Sequence, residues 1–217
     1  YTSEQSFAAV FLPSTLALLV VTTPLAALGL WLGEKIGLGA PLLAALLSNS
    51  PGAVRRLAQD ARRAIGLGLV VGLLLWMLRI VSAQFLPPEL PELGHRGAIG
   101  GLLVSISAAV GEEVWLRLGA MTGIAWVLMR VLGQSRFSPQ VAWTAIITAA
   151  LAFGAIHLPQ LAAAGAATPT GIGATMLGNT LVGVLCGWLF WQRGLIAAII
   201  AHFSVDLVLH VFPALLS

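Results

Sequence analysis

Residues 64–86, AIGLGLVVGLLLWMLRIVSAQFL, form an apolar run of 23 residues that contains one charged side chain, Arg79. A helix needs about 20 consecutive apolar residues to cross the roughly 30 Å hydrocarbon core of a bilayer. The run therefore predicts a membrane-spanning helix. We expect Arg79, near the end of this run, to extend its guanidinium toward the lipid headgroups.

The composition of the whole chain agrees with this stretch. Of its 217 residues, 59% are hydrophobic and only 9% are charged, and the mean hydropathy is +0.97. A soluble domain carries about 25% charged residues, so these few charges cannot cover a soluble surface. The apolar runs are long and continuous rather than alternating in ten-residue segments, which excludes an outer-membrane barrel.

The apolar runs predict an all-α fold, a polytopic bundle of about six to eight transmembrane helices around a polar intramembrane cavity. We expect residues 1–217 to form a single membrane domain, with N-terminal helices up to 96 and the polar motifs from 97 onward. The predicted spans are 7–31, 64–86, 97–118, 141–158, 174–191 and 195–216.

The segments between these spans are more polar. Residues 53–63 carry four arginines and predict an interfacial helix. Residues 87–96 and 159–173 are rich in Pro, Gly or Thr and predict loops, the second of them with a re-entrant alternative. Residues 121–132 are too few to cross a bilayer unless they continue the preceding helix. Because the chain begins at Tyr1 and not at a methionine, we expect further residues upstream.

The positions of lysine and arginine predict the orientation in the membrane. Residues 33–63 hold five of the eleven basic residues, and Arg130, Arg136 and Arg193 mark further loops. Cytoplasmic loops are enriched in these residues, so we expect these segments in the cytoplasm and the 87–96 loop outside. Loop charge of this kind also explains the net charge of +3 without a nucleic-acid partner. We expect an integral protein of a bacterial or archaeal type of cytoplasmic membrane.

The first of three polar clusters, GEEVWLR, begins at Gly111 inside the third span. Glu113 and Arg117 are four residues apart, so they share a helical face and predict an ion pair. Neighbouring helical residues point about 100° apart, so Glu112 faces elsewhere. An unpaired carboxylate in a low-dielectric cavity suits a general base or acid. From the spacing alone, a structural network of all three charges is the alternative.

Two further clusters carry histidine. In FGAIH, Phe153 lies one helical turn before His157 and can pack against its imidazole. In HFSVD, His202 and Asp206 share a face and can bind a metal, position a water or polarise a carbonyl. The alternatives are a structural or interfacial histidine at 157 and a simple His202–Asp206 hydrogen bond that joins helices.

Ionisable groups are costly inside a bilayer, so each of these residues is a candidate functional group. Asn179, inside the fifth span, is expected to face the cavity or to bridge helices. We expect His95 in a loop, His210 at an interface and Cys186 buried as a small apolar residue. As the single cysteine, Cys186 cannot form a disulfide within the chain.

The three patterns E-E-x-x-x-R, F-x-x-x-H and H-x-x-x-N/D, in this order on successive apolar segments, resemble the CAAX protease and bacteriocin-processing enzyme family. This family includes the type II CAAX prenyl endopeptidases. The resemblance covers roughly residues 97–217, and the preceding residues are similar only as hydrophobic spans. It implies an intramembrane endopeptidase that hydrolyses a peptide bond of a membrane-associated or lipidated protein.

Carried over by position, the resemblance implies a role for each motif. Glu112 and His157 would hold and deprotonate a water that attacks the scissile carbonyl. His202 and Asp206 would stabilise the oxyanion, and the supporting residues would be Glu113, Arg117, Phe153 and Asn179. An asparagine at 206 could donate to an oxyanion, but an ionised aspartate only accepts, so Asp206 serves this role only when protonated and otherwise orients His202.

A metal-free mechanism without a cofactor is the favoured expectation, and zinc is the alternative. Its ligands would be His157, His202, Glu112 and Asp206, which are residue types that bind zinc. The expected partners are a membrane-associated protein or peptide substrate and the lipid bilayer, with no nucleic acid.

Two alternatives to an enzyme stay open at this point. One is a non-proteolytic accessory or scaffold subunit that keeps the fold and binds another membrane protein in a complex. The other is a transporter whose buried charges carry protons or ions. The chain lacks the paired repeats that many transporters show.

Overall fold

The computed structural model describes the backbone of residues 7–216, and the side chains of Leu16 and of residues 18–216. Tyr1 therefore lies outside the described residues. Within this range all regular structure is helical, and no strand is present. The all-α prediction is confirmed.

Ten α-helices follow one another in the described residues. They are α1 (Phe7–Ile36), α2 (Pro41–Leu47), α3 (Ala53–Ser82), α4 (Gly97–Glu113), α5 (Thr122–Val131), α6 (Pro139–Ile156), α7 (Leu158–Ala163), α8 (Pro169–Arg193), α9 (Leu195–Asp206) and α10 (Phe212–Leu216). Two π-helical segments make some of them continuous: Val114–Met121 joins α4 to α5, and Leu207–Val211 joins α9 to α10.

Six segments of the described chain are long and apolar enough to cross a membrane. They are Leu18–Ile36, Ala53–Phe85, Gly97–Val131, Pro139–Ala163, Pro169–Arg193 and Leu195–Leu216. This result confirms a polytopic helical bundle. The short 121–132 helix continues the third span and does not form a crossing of its own.

Residues 53–63 are helical as predicted, but they form the first third of α3 and not a separate interfacial helix. Residues 53–65 contain no proline or glycine, so nothing ends the helix after Arg63, where the composition changes from polar to apolar. The 33-residue span Ala53–Phe85 has a length of about 50 Å at 1.5 Å per residue. It exceeds the hydrocarbon thickness, so its arginine-bearing end extends beyond the apolar layer.

The loop predicted for 159–173 is also wrong in part, because it contains α7 and the first turn of α8. The start of α8 has a clear local cause. The Thr168 hydroxyl accepts a hydrogen bond from the Gly171 N–H at 3.1 Å, and Pro169 occupies the first helical position.

Arg79 contacts the loop that follows its helix. Its side chain is partly buried, and Nη2 donates to the carbonyls of Leu90 and Pro91, each at 3.3 Å. The charge therefore fixes the Pro-rich 87–96 loop to α3.

Close contact between α3 and α9 depends on small residues. A Cβ atom added to Gly68 would lie 2.5 Å from the Ala201 carbonyl oxygen, and one added to Gly72 would lie 2.9 Å from Val208 Cβ. Small residues let transmembrane helices approach at backbone distance. The residues that α3 contacts surround the His202–Asp206 cluster on α9, so this packing sets where that cluster lies.

We predict that Gly68→Ala lowers the stability of the protein in detergent, since the new methyl group collides with α9. Overpacking of this kind costs about 1–3 kcal/mol. Gly66→Ala is the matched control on the same helix, because a Cβ there meets no atom within 4 Å. Thermal unfolding followed by size-exclusion chromatography measures both variants. Equal melting temperatures for the two would contradict the close packing of α3 on α9.

Candidate active site

A fully buried ion pair lies at the base of the candidate site. Arg117 Nε is 3.1 Å from Glu113 Oε2, and both side chains are completely inaccessible to solvent. The four-residue spacing indicated this pair, and the structure contains it. A buried charge without a partner is very costly, so the two residues depend on each other.

His202 joins this pair across the bundle. Its Nδ1 lies 2.9 Å from Glu113 Oε1, which connects α9 to α4. Because Glu113 is paired with Arg117, its ionised carboxylate accepts, and His202 Nδ1–H donates. The sequence did not predict this contact. The predicted partner, Asp206, lies 3.8 Å from His202 Nε2, which is too long for a hydrogen bond.

The other nitrogen of His202 faces two carboxylates. Nε2 lies 3.7 Å from Glu112 Oε2 and 3.8 Å from Asp206 Oδ1. These separations are too long for direct hydrogen bonds, so the polar atoms stay available to a water or substrate oxygen in the adjoining cavity. Glu112 is the more accessible of the adjacent glutamates, since its side chain is 22% exposed and that of Glu113 is fully buried. The carboxylates of Glu112 and Glu113 therefore have different surroundings, because adjacent helical residues point about 100° apart.

His157 lies at the C-terminal end of α6, where its Nδ1 is 2.8 Å from the Phe153 carbonyl oxygen. Since a carbonyl only accepts, Nδ1–H donates, and in the tautomer with a single proton Nε2 carries the lone pair. The Phe153 ring packs edge-on against His157, with the two centroids 4.9 Å apart. It also contacts His202 at 5.7 Å and lies 5.6 Å from Arg117 Cζ. Phe153 thus fixes the relative positions of both imidazoles.

These groups border a cavity of about 670 Å³. Its volume is within the range of small-molecule and peptide-side-chain pockets. Its wall includes the four predicted catalytic residues together with Phe153 and Asn179: Glu112, Phe153, His157, Asn179, His202 and Asp206. Asn179 faces the cavity rather than bridging helices, and its Nδ2 donates to the Thr175 carbonyl of its own helix at 2.9 Å.

His210, which the sequence did not indicate as a site residue, lines the cavity. Its Nε2 lies 3.9 Å from Asp206 Oδ1. Its spacing of four from Asp206 was the available signal. His95 lies in the 87–96 loop as expected and also borders the cavity. All four histidines of the chain therefore line the same cavity.

Both π-helical segments directly follow motif residues. Val114–Met121 begins after Glu113 and contains Arg117, while Leu207–Val211 begins after Asp206. A π turn inserts extra residues per turn and re-aims the side chains around it, which is why such turns recur at functional sites. The Thr122 hydroxyl donates to the Arg117 carbonyl at 3.0 Å and stabilises the first of them.

Two sets of residues have donor atoms suited to a metal. Glu113, Cys186 and His202 place ligand atoms within 4.8 Å of one another in the buried interior. This set does not suit a divalent cation, because Glu113 already binds Arg117 and the cation would lie beside that guanidinium. The second set, on the cavity wall, is the predicted one of Glu112, His157, His202 and Asp206. Its donor types fit zinc, but in the described residues it is not a group with ligand atoms within 4.8 Å of one another.

We predict that Glu113→Gln strongly destabilises the protein, because it leaves the Arg117 charge buried without a counter-ion. Removing one partner of such a pair costs about 3–5 kcal/mol. Glu112→Gln is the matched control at the adjacent position, and we expect it to melt near the wild type. Thermal unfolding in detergent compares the two. A Glu113→Gln variant as stable as Glu112→Gln would show that the pair is not structurally required.

The comparison with protein families gives one match. The family model for the type II CAAX prenyl endopeptidase Rce1-like proteins matches residues 94–208, more than half of the chain. All four predicted catalytic residues lie in this range. The comparisons with curated proteins and with solved structures found no match. The chain is thus an integral membrane protein that belongs to the type II CAAX prenyl endopeptidase Rce1-like family.

Proposed function

We propose that this protein hydrolyses a peptide bond of a membrane-associated or lipidated polypeptide, using a water molecule activated by Glu112 and His157. Membership in an endopeptidase family supports the reaction class. The observation that carries the proposal is the position of His202 Nε2, which lies 3.7 Å and 3.8 Å from two carboxylates on the wall of one cavity.

Glu112 acts as the general base. It is the one of the two adjacent glutamates whose side chain reaches the cavity, and no salt bridge to arginine consumes its charge. His157 Nε2 carries a lone pair that faces the same cavity, so it accepts a hydrogen bond from the water and orients it. Together the two groups hold the water with an oxygen lone pair directed at the scissile carbonyl.

His202 stabilises the oxyanion. Glu113 fixes its ring through Nδ1, and the doubly protonated ring, which the neighbouring carboxylates of Glu113 and Glu112 favour, also directs an Nε2 proton into the cavity. A donor held in place before the reaction avoids reorganisation in the transition state, and a site with little bulk water strengthens its effect. Loss of one such donor typically lowers kcat about 10²–10³-fold.

The reaction balances with these groups alone. The water oxygen bonds to the carbonyl carbon while Glu112 takes a water proton, which gives a tetrahedral oxyanion facing His202. The carbon–nitrogen bond then breaks, and Glu112 returns the proton to the leaving amine. The products are a new carboxylic acid, which keeps the second water proton until it passes to the amine or to solvent, and a free amine, and Glu112 is again ionised.

We expect Glu112→Gln to abolish hydrolysis while the protein remains folded, because an amide cannot take the proton. General-base catalysis contributes about 10²–10⁴-fold, so the loss should be at least of that size. The assay is mass spectrometry of a prenylated peptide with a CAAX sequence, and of the same peptide without the lipid, after incubation with purified protein. Glu89→Gln, on the exposed loop, is the control. Cleavage by Glu112→Gln at the wild-type rate would overturn this role.

Asp206 borders both His202 and His210 at 3.8 Å and 3.9 Å. We propose that it acts in its protonated form as a second donor to the oxyanion. Asp206→Asn should therefore keep activity within about tenfold, since the amide donates from the same position. Asp206→Ala should lose activity by about 10²-fold. If the asparagine variant were as inactive as the alanine variant, the ionised carboxylate itself would be required.

A metal-free mechanism is our proposal, and zinc bound by Glu112, His157, His202 and Asp206 is its rival. Bound zinc would supply Lewis-acid activation of water. We expect 1,10-phenanthroline to leave hydrolysis unchanged. Loss of activity with the chelator, restored by added zinc, would favour the rival.

The accessory subunit is the other alternative. It would be favoured if no tested peptide were hydrolysed and if active-site variants still restored the phenotype of a knockout.

A further inference from the structure

The candidate cavity extends toward one end of the bundle. Glu112 and His202 lie at its deep end, and the 87–96 loop forms part of its opposite wall through residues that include Leu90, Glu92 and Arg96. Arg79 holds this loop through its bonds to Leu90 and Pro91. The cavity therefore reaches from the motif residues to the level of the 87–96 loop.

Other segments meet at this end of the molecule. A Cβ on Gly94 would lie 2.6 Å from the backbone nitrogen of Ala214, near the end of α10. A Cβ on Gly165, between α7 and α8, would lie 3.8 Å from Glu89. The 87–96 loop, the α7–α8 connection and α10 thus form one end of the bundle, which we call the mouth end.

The opposite end is equally well defined. The Leu195 N–H donates to the Gly39 carbonyl at 3.0 Å, and Arg193 Nη1 lies 3.5 Å from Asp60 Oδ1. The Phe137 ring packs against Trp191 with centroids 6.4 Å apart. The α1–α3 connection, the start of α3, the α5–α6 loop and the α8–α9 turn therefore lie together. We call this the basic end.

The two ends differ sharply in charge. Eight of the eleven basic residues lie at the basic end: Lys35, Arg55, Arg56, Arg62, Arg63, Arg130, Arg136 and Arg193. Arg79 and Arg96 belong to the mouth end, and Arg117 is buried between the two. Short loops enriched in lysine and arginine remain in the cytoplasm when a helical protein is inserted. The eight-to-two distribution orients the basic end toward the cytoplasm.

We propose that the cavity opens on the non-cytoplasmic face of the membrane and receives its substrate from that side. The substrate class follows from this orientation. It is a membrane-associated or lipidated polypeptide whose cleaved segment lies outside the cytoplasm. The substrate statement rests on the proposed hydrolysis, whereas the orientation of the cavity does not.

Cysteine accessibility tests this orientation without any assay of hydrolysis. The native Cys186 is fully buried, so a Cys186→Ala background provides an unlabelled reference. Ala164→Cys reports the mouth end and Ser135→Cys the basic end, and both positions are exposed. Ala108→Cys reports the cavity itself, because Ala108 lines it one helical turn from Glu112. A small membrane-impermeant methanethiosulfonate reagent is applied to intact bacterial spheroplasts and to permeabilised ones.

We expect the cysteines at 164 and 108 to react in intact spheroplasts and the cysteine at 135 to react only after permeabilisation. Reaction of the cysteine at 135 in intact spheroplasts would overturn the orientation. Failure of the cysteine at 108 to react from outside, while that at 164 does react, would overturn the opening of the cavity on that side. The same pattern in a Glu112→Gln background separates the two proposals, since a failed protease mechanism leaves the labelling unchanged.

Discussion

The carboxylate of Glu113 is the constraint on which the candidate site depends. It is completely buried, it pairs with Arg117 on its own helix, and it accepts from His202 on α9. A charge in this position is tolerated only while both partners remain in place. The same contacts that satisfy the charge also direct His202 Nε2 toward Glu112 and Asp206, so the stability of the interior and the geometry of the cavity share one cause.

The surrounding helices are shaped to permit this contact. Gly68 lets α3 approach α9 at backbone distance, and Phe153 packs between the imidazoles and Arg117. Two π-helical segments adjust the helices directly after Glu113 and Asp206. Straight α-helices would place the motif residues at different depths. The π turns offer a way to bring them together while keeping the backbone hydrogen-bonded in an apolar environment.

The sequence predicted the spans because a continuous apolar run in lipid satisfies its backbone hydrogen bonds by forming a helix. It predicted the Glu113–Arg117 pair because residues four apart are neighbours on a helix surface. It could not predict the bond from His202 to Glu113, since 89 residues separate the two and no local pattern reports contacts between helices. It also could not predict that Arg79 donates to the carbonyls of Leu90 and Pro91, because composition alone does not report such contacts.

The orientation of the His202 ring is the central claim, and nuclear magnetic resonance of the protein labelled with ¹⁵N-histidine tests it most directly. A His202→Asn variant assigns the signal among the four histidines. The structure predicts a protonated Nδ1 whose proton is shifted downfield by a strong hydrogen bond to the Glu113 carboxylate. A His202 ring with an unprotonated Nδ1 would contradict this contact, and with it the position assigned to Nε2 in the cavity.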